Sequence, residues 1–69
     1  MNSTVTHEAP VLDSISLFSR SITLRYPVGG TSTYLVSREA NIRDWSRYLG
    51  RRVQVDTNRH RRVTNVYCV

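Results

Sequence analysis

The sequence predicts a mainly β fold: a small antiparallel barrel or curled sheet of 4–5 strands, with one short helix at about 42–49 before the third strand. Three observations lead there. Apolar and polar residues alternate in short runs, as in Ile22, Leu24, Tyr26 and in Val53, Val55, and turn-forming residues separate the runs. Only Asn41–Asp56 carries a helical period, and it reverts to alternation before it ends. With 69 residues there is room for one domain. Several short strands with tight turns in so short a chain are most economically closed as a small barrel.

Residues 1–13 are polar, contain a proline and show no period, so they are expected to form a flexible tail whose Val11-Leu12 rests on the body, which spans residues 14–69. From Ser14 the alternation begins with Ile15 and Leu17, slips phase around Phe18–Arg20, and resumes with Ile22, Leu24 and Tyr26. One strand with a bulge and two strands with a tight bend both account for the slip, and the single bent strand is preferred. Pro27-Val28-Gly29-Gly30 then breaks the strand with strong turn chemistry. A second strand follows at Thr31–Ser37, making a hairpin.

The helix comes next. Asn41 is a suitable N-cap, and Asp44 places a carboxylate near the positive end. Ile42, Trp45 and Leu49 recur at i, i+3 and i+7 and are expected to share the buried side, with Arg43 and Arg47 facing solvent. Gly50 stands where a helix takes a left-handed stop. Arg51–Thr57 is the third predicted strand. Thr57–His60 is a turn in which Asn58 can adopt the left-handed conformation. In Arg61–Val69, Val63, Tyr67 and Val69 fall on one side and Thr64, Val66 and Cys68 on the other. Both sides are fairly apolar, so this strand should be central or covered by a partner.

Charge is the main functional clue. The net charge is +5, the pI is about 10.4, and all ten basic residues are arginines. Residues 1–19 contain Glu8 and Asp13 and no arginine, whereas residues 20–69 hold every arginine against Glu39, Asp44 and Asp56. The densest group is Arg43, Arg47, Arg51, Arg52, Arg59, Arg61 and Arg62. Such a body suits a polyanion, and the guanidinium forks bidentately onto phosphate as lysine cannot. These seven are therefore the candidate nucleic-acid-binding residues for DNA or RNA, with Tyr26, Tyr34 and Tyr48 as candidate platforms for unpaired bases. Two plainer accounts stand beside this one: an acidic protein surface as partner, and a solvated face on which Glu39 and Asp44 pair locally. Codon bias explains the missing lysines but not the clustering.

Other classes find little support. No apolar run is long enough to span a membrane, and the N-terminus lacks the pattern of a signal peptide, so a cytoplasmic location is expected. Cys68 is the single cysteine, which excludes an internal disulfide, and it is expected to be a small buried hydrophobe. No Cys/His cluster suggests a metal, and no cofactor motif is present. His60 is expected in a turn, and no arrangement of Ser, His, Asp or Cys suggests a nucleophile, so a non-catalytic protein is expected. With neither metal nor disulfide as a staple, a homo-oligomer or larger complex is a reasonable expectation for so short a chain.

Tyr34-Leu35-Val36, Trp45 and then Tyr48-Leu49-Gly50-Arg51-Arg52-Val53-Gln54-Val55, followed by a turn and a final strand, resemble the closing half of small bacterial OB- or SH3-like barrels. The resemblance covers roughly residues 31–69. It implies a short helical turn packed beneath a barrel and leading into the next strand. Asp56 departs from the pattern, which often has glycine there. Domains of this kind serve as nucleic-acid binders, protein-interaction modules or structural appendages, so the resemblance does not choose a function.

Overall fold

The computed structural model describes residues 9–69. Its strands are β1 (Val11–Ser16), β2 (Ser21–Arg25), β3 (Thr31–Leu35), β4 (Val53–Thr57) and β5 (Val63–Cys68), with a 3₁₀ helix at Ile42–Tyr48. They form two antiparallel sheets, β1-β2-β3 and β4-β5. Single bridges join the sheets, Val11 to Arg52 antiparallel and Val36 to Val63 parallel, and the sheets do not close into a barrel.

The first correction concerns residues 14–26. This stretch is not one bent strand but part of two antiparallel ones, paired from Val11↔Arg25 to Ser16↔Ser21. The phase slip seen in the sequence is a chain reversal. Ser19 donates from its backbone N–H and its hydroxyl to Ser16 Oγ (3.3 and 2.8 Å), and Arg20 takes a left-handed φ of 51°. Leu17, expected in the alternation, and Phe18, where the phase slips, sit exposed at the reversal. The helix accordingly precedes the fourth strand, not the third. The second correction concerns the expected tail: Val11–Asp13 belong to β1, and Leu12 is fully buried. Residues 1–8 lie outside the described residues. A bulge at Asp13 lets Leu12 face the core while Ile15 packs partly against it.

The β2–β3 hairpin forms as expected around Pro27–Gly30. Tyr26 N–H donates to Gly30 O (3.1 Å) and Gly29 N–H to Tyr26 O (2.9 Å), with Gly29 and Gly30 at φ of 103° and 87°. The Tyr26 and Tyr34 hydroxyls hydrogen-bond at 2.7 Å, diagonally across the hairpin.

The helix differs from expectation in three ways. It is 3₁₀, Asn41 makes no side-chain cap, and Leu49 is 46% exposed. The winding explains the last point. At three residues per turn, Ile42, Trp45 and Tyr48 stack on one side, and Leu49 is carried off it. Ile42 and Trp45 are buried, and Tyr48 packs partly against the core. Gly50 does take a left-handed φ, 82°, and its N–H donates to Leu12 O at 2.8 Å.

At the β4–β5 turn, Arg61 and not Asn58 takes the left-handed conformation, at φ 62°. Asn58 serves through its side chain, whose Oδ1 accepts from His60 N–H and Arg62 N–H (2.9 and 3.1 Å). A second bulge leaves Thr64 without a partner between Val63 and Asn65, so Val63 and Val66 both reach the core despite their opposite phase. Cys68 and Val69 are exposed, so the expected burial of Cys68 and the two-sided apolar strand do not occur. Leu12, Ile22, Leu24, Val36, Ile42, Trp45, Val53, Val63 and Val66 form one core between the sheets and the helix.

Candidate functional site

All seven candidate arginines are exposed. Among the described residues one ion pair forms, Arg25 Nη1 to Asp13 Oδ1 at 2.8 Å, and it involves none of the seven. The local pairing with Glu39 and Asp44, weighed as the plain account of these charges, does not form. Asp56 is engaged elsewhere: its Oδ1 accepts the Tyr67 hydroxyl at 2.6 Å, and this bond raises the Tyr67 pKa by favouring the neutral phenol.

The arginines fall into groups set by the elements that carry them. Arg43 and Arg47 are both exposed on the helix, but at three residues per turn they stand in different rows, Arg43 with Ser46 and Arg47 with Asp44. Arg47 Nε donates to Asp44 O at 3.1 Å, and its guanidinium lies 5.9 Å from the Tyr48 ring centre, a weak cation–π contact at an exposed site. Arg51 and Arg52 follow Gly50. Arg51 Nη1 lies 3.8 Å from Cys68 Sγ, and Arg52 Nη1 donates to Ala9 O at 2.8 Å.

Arg59, Arg61 and Arg62 occupy the opposite end of the β4–β5 hairpin. The register from Val53↔Cys68 to Thr57↔Val63 puts the length of a five-residue strand between the two groups. At about 3.3 Å per residue that is roughly 15 Å. The seven are therefore not one unbroken face but two positive patches on one hairpin, the first continued onto the helix.

Two grooves border the first patch. A groove of about 300 Å³ is lined by Ile15, Leu17, Ile42, Arg43, Ser46 and Leu49. A second, of about 440 Å³, has Val11, Arg25, Arg52, Tyr26 and the Gly29-Gly30 turn in its lining. Tyr26 is half-buried and its pKa is pushed up to about 12, first by burial and then by the hydrogen bond to Tyr34.

Comparison with protein-family models, curated proteins and solved structures finds no match for this chain.

Two arginines were missed in the sequence. Arg20 is structural: one Nη donates to Ser37 O, Arg38 O and Ala40 O (2.7, 3.3 and 2.9 Å), tying the loop ahead of the helix to β2. Its left-handed position at the reversal was hidden by the apolar residues beside it. Arg25 lines the second groove, and only the pairing of distant strands brings it there. Among the described residues no three His, Cys, Asp or Glu side chains gather as metal ligands, and no helix is long and apolar enough to cross a membrane.

Proposed function

We propose that this protein is a non-catalytic domain that binds nucleic acid, DNA or RNA, mainly through arginine–phosphate contacts from Arg43, Arg47, Arg51, Arg52, Arg59, Arg61 and Arg62. One observation carries the reading: all seven guanidinium-bearing side chains are exposed, and none is matched by a carboxylate of the described residues. An arginine whose charge is not already neutralised is available to displace counterions from a phosphate chain, the main source of sequence-independent affinity. The resemblance to small OB- or SH3-like barrels is compatible with this role and with others.

Binding to a labelled oligonucleotide measured at several salt concentrations tests the proposal. With about five phosphates engaged on a duplex, log affinity falls against log salt with a slope near −4.5. Absence of binding at low salt refutes it.

A second reading, a protein-interaction module or subunit of an oligomer, is favoured by a different observation. Leu17 and Leu49, 50% and 46% exposed, line the apolar groove, and Phe18 beside Leu17 is fully exposed. Light scattering on the purified chain separates the two. A clean monomer across a wide concentration range removes self-association from the account.

A further inference from the structure

The β2–β3 ladder decides which main-chain groups of β3 are used. Tyr26 N–H donates to Gly30 O (3.1 Å) and Val36 N–H to Arg20 O (2.9 Å). Both bonds continue the register that pairs Ile22 with Tyr34 and Leu24 with Ser32. Hydrogen-bonded pairs alternate along an antiparallel ladder, so Ser32 and Tyr34 turn their N–H and C=O groups toward β2. The main-chain groups of Thr31 and Thr33, and the N–H of Leu35, therefore point to the other side. There β3 has no strand beside it, and among the described residues these groups have no hydrogen-bond partner.

An open edge of this kind is normally blunted by a charge, a proline or a bulge. β1 has Asp13 and a bulge, β4 has Asp56, and β5 is bulged at Thr64. β3 reads TSTYL in an unbroken register and has none of these, and Leu35 at its end is 48% exposed. What lies beyond that end is positive. Ser37 uses the same side of the chain, its N–H donating to Val63 O at 2.8 Å, and Val63 bridges to Val36. The exposed turn that carries Arg59, Arg61 and Arg62 ends one residue before Val63. None of its arginines is paired with a carboxylate of the described residues.

We infer that the edge of β3 at Thr31–Leu35 takes an extended acidic segment of a partner protein as an added strand. The segment hydrogen-bonds to the main chain of Thr31 and Thr33 and to the N–H of Leu35, with an apolar side chain against Leu35 and a carboxylate at the arginine turn. A second copy of this chain fits less well, because β3 has no carboxylate to offer that turn. The inference rests on the protein-interaction reading above, and it adds the site and the chemistry of the partner.

The test is a titration of the isotope-labelled protein, followed by amide NMR, with a peptide of alternating valine and glutamate and with its counterpart carrying lysine for glutamate. The glutamate peptide moves the amides of Thr31, Thr33 and Leu35 most and slows their hydrogen exchange, whereas the Ser32 and Tyr34 amides are protected with or without it. The lysine peptide binds at least about tenfold more weakly. Thr33→Pro removes an N–H that the ladder to β2 does not use, so the variant stays folded, as Trp45 fluorescence verifies. It weakens the glutamate peptide at least about tenfold. Arg62→Gln weakens it about twofold to fivefold at low salt and less at high salt. Unaltered affinity in Thr33→Pro, or shifts centred on Leu17 and Leu49, overturns the edge as the site, while the protein-interaction reading survives. Equal binding of the two peptides, or binding of neither, overturns the acidic partner. So does a dimer in light scattering that Thr33→Pro abolishes, which makes the occupant a second copy. An oligothymidylate that moves the same amides when the peptide does not makes the occupant a nucleic acid and overturns the proposal.

Discussion

At the residue scale, Trp45 and Leu49 separate what is buried from what merely looks buried. Both lie on the apolar side of an α-helical projection, yet Trp45 is in the core and Leu49 is 46% exposed. Trp45→Ala should cost about 3–5 kcal/mol. The whole stability of a domain this size is about 3–10 kcal/mol. Thermal melts followed by circular dichroism should therefore show Trp45→Ala largely unfolded. Leu49→Ala should stay within about 0.5–1 kcal/mol of wild type. Equal effects at the two positions would mean that the helix is wound as α and presents Leu49 inward.

At the element scale, the reversal between β1 and β2 and the loop before the helix are joined by Arg20. Its guanidinium satisfies the carbonyls of Ser37, Arg38 and Ala40, and its backbone carbonyl accepts from Val36 N–H at 2.9 Å. Hydrogen bonds to a charged group contribute about 1.5–3 kcal/mol, and the carbonyls left behind would lose part of their satisfaction. Arg20→Met should therefore lower the urea midpoint by the equivalent of about 2–3 kcal/mol, far more than Arg59→Met in the exposed turn. Equal midpoints would show that the loop is held by its backbone alone. The elements also differ in how readable they were. β3, β4 and the glycine turn follow from local chemistry, which acts over a few residues. The Leu17-Phe18 reversal was misread because apolar residues at a turn look like a strand when only alternation is counted. The helix was placed correctly along the chain, but its winding is set by how Ile42, Trp45 and Tyr48 meet the core.

At the scale of the whole molecule, two sheets joined by single bridges place positive charge in two patches and leave a groove between strands distant in sequence. The same packing sets an alkaline limit. The folded protein favours the neutral phenol of Tyr26, whose pKa is pushed from 10.0 up to about 12. The folded chain thus holds this proton where the unfolded chain has begun to release it. The contribution is full below pH 10 and is lost as pH rises through about 12. Tyr67 acts in the same direction through Asp56. Denaturation midpoints should fall from pH 10 to 12, and Tyr26→Phe should fall less steeply over that interval. A parallel decline in both proteins would place the titration elsewhere.

By itself, the amino-acid order determined the β class, the glycine hairpin, the position of the short helix, the burial of Ile42 and Trp45, and the excess of arginine. Each depends on spacing or on turn chemistry within a few residues. Only the tertiary structure decided that residues 11–25 make two strands, that Thr64 bulges to bring both Val63 and Val66 inward, and that Arg25 and Arg52 flank Val11. Those outcomes are pairings across long chain separations. Their free energy comes from which surfaces meet, and no local pattern records it.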